Sequence, residues 1–134
     1  MSLSSKRNGR PISRIQFELI VKKFLVFLRR ELRITDNIPL VLVDDLNFSV
    51  KNHSFAYIVP DTQTIYLSII NRHPIDVLRS LAHEVVHYKQ LSSGQLVSGK
   101  TGSKYENEAN AKAGELMRKF GSLHPEYFQL TAIK

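Results

Sequence analysis

LAHEVVHYKQ, residues 81–90, sets His83, Glu84 and His87 in the spacing HExxH. The flanking residues decide what that spacing means. NRHPIDVLRSLAHEVVHYKQLSSG, residues 71–94, predicts one helix. Pro74 suits its first position, Asp76 favours the positive end of the helix dipole, and Ser-Ser-Gly stops it. At about 100° per residue, His83 and His87 lie about 40° apart on one face. Asp76, Ser80 and Gln90 share that strip, while Val77, Leu78, Leu81, Val85 and Tyr88 form the opposite, apolar arc. The two histidines are therefore not ordinary residues of the apolar core.

Imidazoles one turn apart can both reach a single Zn²⁺ at about 2.0–2.1 Å. Glu84 is rotated by about 100° from His83, so it can reach a water on the metal rather than the metal itself, the position of a general base. A catalytic zinc site needs a third protein ligand. The chain has no cysteine, so that ligand must be His or a carboxylate. HYKQLSSG lacks the Gly and third His of HExxHxxGxxH, and attention moves to YENEAN, residues 105–110.

KYENEANAKAGELMRKFG, residues 104–121, predicts a second helix with Gly121 as its C-cap. Glu106, Ala109, Asn110, Ala113, Leu116, Met117 and Phe120 fall on one side. Glu108, Lys112, Glu115 and Lys119 fall on the other, as two Glu→Lys pairs four apart. Glu106 thus faces inward, where an unpaired carboxylate is costly and a metal would partner it. Asn110, one turn on, is placed to hydrogen-bond a ligand histidine from behind. The expected site is one zinc per chain on His83, His87 and Glu106, with Glu84 as base.

HEVVH followed by ENEAN resembles the gluzincin class of zinc metallopeptidases, whose third-ligand helix carries E-x-x-x-D/N. Within it the chain looks most like the ImmA/IrrE-type domains and small phage-encoded HExxH proteins, although the Phe and closing Pro usual after EAN are missing here. The resemblance implies a zincin-like α+β fold and zinc-dependent endopeptidase activity on a protein or peptide substrate. It also implies that the substrate lies as an extended strand along a sheet edge, FAYIV or TIYLS. Tyr105, His124 and Tyr127 are candidates for stabilising an oxyanion in such a site.

The other elements are legible more coarsely. Ser13 predicts the N-cap of a helix to about Arg33, IPLVLVDDL a strand, and FAYIVPDTQTIYLSI a hairpin turning at PDTQ. HPEYFQLTAI predicts a short C-terminal helical segment. The order is a helix, a small three-stranded sheet, the HExxH helix and the Glu-ligand helix, an α+β arrangement. We expect a basic flexible arm over residues 1–13 and a single zincin-like domain over residues 14–134.

The formal charge is +7 over 134 residues. Residues 1–33 hold nine Lys or Arg and two Glu, so they carry the whole excess, and the rest is balanced. The alternative class is therefore a zinc-containing binding protein that engages nucleic acid or an acidic partner through this region. No apolar signal stretch or membrane-length run is visible, and a cytoplasmic, membrane-free protein is expected. GQLVSGKT, Gly94–Thr101, matches the phosphate-loop pattern G-x-x-x-x-G-K-[ST]. Such a loop follows a strand and opens a helix. This one follows a helix, and only 33 residues remain after Thr101, so ATP is not an expected ligand.

Overall fold

The computed structural model describes residues 10–49, 54–95 and 103–134. Most of the basic arm and most of GQLVSGKT lie outside the described residues. In chain order the elements are β1 (Arg10–Ile12), α1 (Arg14–Leu32), β2 (Leu40–Val43), β3 (Ala56–Val59), β4 (Thr64–Ser68), α2 (Pro74–Ser92), α3 (Lys104–Leu123), a 3₁₀ turn (Pro125–Gln129) and β5 (Leu130–Ile133). The class is α+β. Among the described residues, no helix is long and apolar enough to cross a membrane.

The three-stranded sheet has the order β2-β4-β3, with β2 parallel and β3 antiparallel to β4. TIYLS is thus the central strand and not an edge. Among the described residues, AYIV pairs only with β4 and leaves its other side free. Alternation sorts the faces: Ile65 and Leu67 are wholly buried, while Tyr57 and Tyr66 lie opposite each other and stack at 5.2 Å, with Phe48 at 5.7 Å from Tyr57.

α1 begins at the predicted cap, where the Ser13 hydroxyl accepts from the Gln16 amide at 3.1 Å. α2 spans the predicted helix; His73 caps it through Nδ1, and Gly94 follows it at φ +80°. This helix is the hub. It packs on α1, β3, β4, α3 and β5, and Val77, Leu78, Leu81, Ala82 and Val85 are fully buried.

Three expectations are corrected. Gly121 does not cap α3, which runs on to Leu123 with His124 as cap. A Cβ at Gly121 would sit 3.0 Å from the Phe128 ring, so the glycine makes room for that ring rather than ending the helix. The C-terminal segment is only half helical: after one 3₁₀ turn the chain extends as β5. β5 pairs in parallel with β1, so Arg10–Ile12 belong to a two-stranded sheet and not to a flexible arm. Lys134 N donates to Ile12 O and Arg14 N to Lys134 O, closing that sheet onto the start of α1.

α3 presents Ala109, Ala113, Leu116, Met117 and Phe120 to the core, the predicted phase. The expected Glu108–Lys112 and Glu115–Lys119 pairs are absent. Lys112 pairs with Glu115, and Lys119 with Glu31 of α1. Ala109 is fully buried where α3 closes on α2, and a larger side chain there must push the helices apart. Ala109→Leu should therefore lower stability by about 1–3 kcal/mol in chemical denaturation, whereas Ala111→Leu on the exposed side should change little.

Candidate metal centre

α2 and α3 bring three ligand atoms together: His83 Nε2, His87 Nε2 and Glu106 Oε1 all lie within 4.8 Å of one another. The two imidazole nitrogens are 3.1 Å apart, and His87 Nε2 is 3.4 Å from Glu106 Oε1. His83 Nε2 contacts the same carboxylate oxygen directly. A tetrahedral zinc with bonds of about 2.0–2.1 Å separates its ligand atoms by about 3.4 Å. The donor set, two imidazoles and one carboxylate, and the two separations made by His87 fit that ion, while the closer His83–Glu106 contact would have to open to admit it.

Local structure explains the convergence. The HExxH spacing stacks both rings on one face of α2, and they meet edge to face at 4.7 Å. The Ser103 hydroxyl caps α3 by accepting from the Glu106 amide at 3.1 Å, which places Glu106 in the first turn. Ala109, small and buried one turn later, lets that turn approach α2.

The polar strip of α2 is not a solvated face. His87 is 4%, Glu84 8% and Gln90 3% exposed. His87 and Gln90 are each oriented by a neighbour. Gln90 Nε2 donates to Tyr105 O at 3.1 Å and to Glu108 Oε1. Those two acceptors fix the amide, so Gln90 Oε1 faces His87 Nδ1 at 2.7 Å and must accept its proton. This contact selects the tautomer with the proton on Nδ1, which leaves Nε2 as the atom that would face a metal. Gln90 is the functional residue that sequence reasoning passed over. It lay on the correct strip, but its two anchors come from α3. Glu108, read as solvent-facing, is exposed yet anchors Gln90. Asn110, on the exposed rim of the cleft, hydrogen-bonds the His83 side chain as expected.

Burial lowers the proton affinity of His83, and the neighbouring His87 adds to this while the Glu106 charge opposes it. The outcome favours a neutral ligand imidazole. Burial pushes the Glu84 carboxyl up to about 8, with the Glu106 charge as the second cause. A divalent cation on Glu106 would counter that second cause and so lower the proton affinity of Glu84.

The remaining candidates separate. Tyr105 contributes its backbone carbonyl to Gln90, and Lys104 lies over its ring at 5.9 Å. His124 and Tyr127 are not at the site. Against Phe120, the His124 ring packs at a tilt at 4.8 Å and the Tyr127 ring stacks at 5.8 Å, and His124 lies eighteen residues beyond Glu106, roughly 27 Å along the helix. Their role is in the core.

A cleft of about 460 Å³ opens beside the cluster, lined by His83, Glu84, Glu106 and Asn110 together with Ala56 at the start of β3. No protein-family model matches this chain, and neither a curated protein nor a solved structure matches it.

Two predictions follow from this geometry. Gln90→Leu should weaken zinc binding about 10–100-fold in competitive chelator titrations, while Glu108→Gln, which keeps an acceptor for the Gln90 amide, should change it little. The second concerns metal-free protein. A carboxyl whose folded pKa is raised stabilises the fold below its unfolded value, near 4.5, and loses that stabilisation as pH rises through about 8. Removing the titration should therefore favour Glu84→Gln over wild type at pH 9, on the order of a few kcal/mol, with a much smaller difference at pH 5. Denaturation of chelator-treated protein at both pH values reads the difference.

Proposed function

We propose that this protein is a zinc-dependent endopeptidase of zincin-like architecture. The observation that carries the reading is the meeting of His83, His87 and Glu106 beside a buried glutamate, in a cleft next to a free strand edge. A purely structural metal site has no use for Glu84 in that position.

His83, His87 and Glu106 would hold one zinc. When bound, the ion polarises a peptide carbonyl and makes water acidic enough to lose a proton near neutral pH. Glu84, which lines the cleft, takes that proton and passes it to the leaving amine. Gln90 holds His87 in the ligand tautomer, and Asn110 braces His83. The free side of β3 offers backbone groups to an extended peptide, which would add as a further strand. The resemblance of HEVVH and ENEAN to the gluzincin class supports the same assignment.

Glu84→Gln keeps the shape of the side chain and removes its basicity. This variant should retain one zinc per chain but lose peptide hydrolysis by roughly 10²–10⁴-fold, measured by mass spectrometry on a peptide library. His83→Ala and His87→Ala should lose the metal itself. Equal cleavage by wild type and Glu84→Gln would overturn the mechanism.

A further inference from the structure

The cleft beside the metal centre does not end at the ligands. A second cavity of about 360 Å³ continues it toward the start of α2, and the two share Phe55, Arg79 and Ser80. Its wall is cationic. The Arg72 guanidinium donates to Ser68 O at 3.0 Å, to Asp76 O at 3.1 Å and to Ser80 Oγ at 2.7 Å. The Phe55 ring covers it at 4.5 Å. Arg72 is thus held rigidly by neutral acceptors. Arg79 is exposed and lines both cavities. Among the described residues, neither arginine forms an ion pair with a carboxylate. Asp76, the one acidic residue lining the second cavity, sits in the first turn of α2 and its charge partly offsets that of Arg72, so Arg79 is the arginine left to meet an anion.

Arg79 precedes His83 by one helical turn on the same face, about 6 Å along the axis. An extended peptide advances about 3.3 Å per residue. A group bound at Arg79 therefore lies one or two residues from a bond held at His83 and Glu84. Near the metal the cleft carries Glu84 and Glu106, which would repel an acidic substrate were the arginines absent.

We infer that the second cavity is a carboxylate subsite: Arg79 binds a carboxylate of the peptide substrate one or two residues from the scissile bond, and Arg72 stands behind it as a fixed second charge. The carboxylate is either an acidic side chain or the chain terminus. This inference rests on the peptidase reading for its place in the reaction, but its test does not require hydrolysis.

Three alanine-based hexapeptides serve as probes. One carries a single glutamate and an amidated C-terminus, the second replaces that glutamate by glutamine, and the third is all alanine with a free C-terminal carboxylate. Their binding to the zinc-loaded protein is measured by calorimetry, and the same samples are checked for cleavage by mass spectrometry. At least one carboxylate probe should bind about fivefold more tightly than the glutamine probe at low salt, the scale of a partly exposed arginine–carboxylate contact. Preference for the first probe assigns an acidic side chain, and preference for the third assigns the chain terminus. Arg79→Gln should remove the preference and Arg79→Glu reverse it, with zinc content and melting temperature unchanged. Equal binding of all three probes overturns the subsite even if the peptides are cleaved. A preference that depends on Arg79, with no cleavage of any peptide, upholds the subsite and removes the peptidase reading alone.

Discussion

Everything around the candidate site depends on one constraint: α2 is buried on its polar side as well as its apolar side. A helix with Leu78, Leu81 and Val85 toward the core would ordinarily leave its opposite strip to water. Here α3 closes over much of that strip, and Glu84, His87 and Gln90 all lie within the protein. Buried polar groups need partners, because an unpaired one costs more than its hydrogen bond returns. For His87 and Gln90 the second helix supplies them. Glu106 meets both histidines, Tyr105 O and Glu108 anchor Gln90, and Gln90 in turn meets His87. The network that satisfies the fold is the same network that aims two imidazole lone pairs and one carboxylate oxygen at a common point.

This coupling explains why the helix phase of the site is legible in sequence while its hydrogen bonding is not. Periodicity places His83 and His87 together and turns Glu106 inward, because both follow from angles within one helix. The role of Gln90 follows from no such angle. Its acceptors belong to a helix beyond the loop, and a glutamine one turn after a histidine looks like any polar surface residue. Asn110 was accessible to sequence reasoning only because it lies one turn from Glu106 in the same helix. His124 and Tyr127 show the converse error. Their chemistry suggests a site, but they stand at the far end of α3, where Phe120 draws their rings into the core.

The same distinction runs through the fold. The three long helices begin and end close to the predicted residues because caps, proline and apolar spacing are local signals. The small parallel pairing of β1 with β5 has no local signal: three residues that include a proline join a strand almost at the other end of the chain. Gly121 misleads for a related reason. A glycine near the end of an apolar pattern normally marks a left-handed cap. Here it clears space for Phe128, a contact that only the turned-back C-terminus creates. Sheet order is likewise invisible in a hairpin read from sequence, since either strand can be the inner one until β2 chooses β4 as its partner.

Charge is arranged as deliberately along α2 as polarity is around it. From its start toward its centre the helix lines first a cavity that holds its own Arg79 and the preceding Arg72, then a cleft that holds its Glu84 and Glu106 of α3. Carboxylates next to the candidate ligand histidines favour a cation at the centre, and the Glu106 charge adds to the burial that pushes the Glu84 carboxyl up to about 8. A cation would therefore do more than fill the ligand set: it would offset the Glu106 charge, the smaller of the two causes that raise the Glu84 carboxyl. The arginines lie too far along the helix to join the ligand cluster, yet close enough to hold an anion that spans the distance. The candidate metal centre and the cationic cavity thus form one continuous surface, in which the 1.5 Å rise of α2 sets the register of Arg79 against His83.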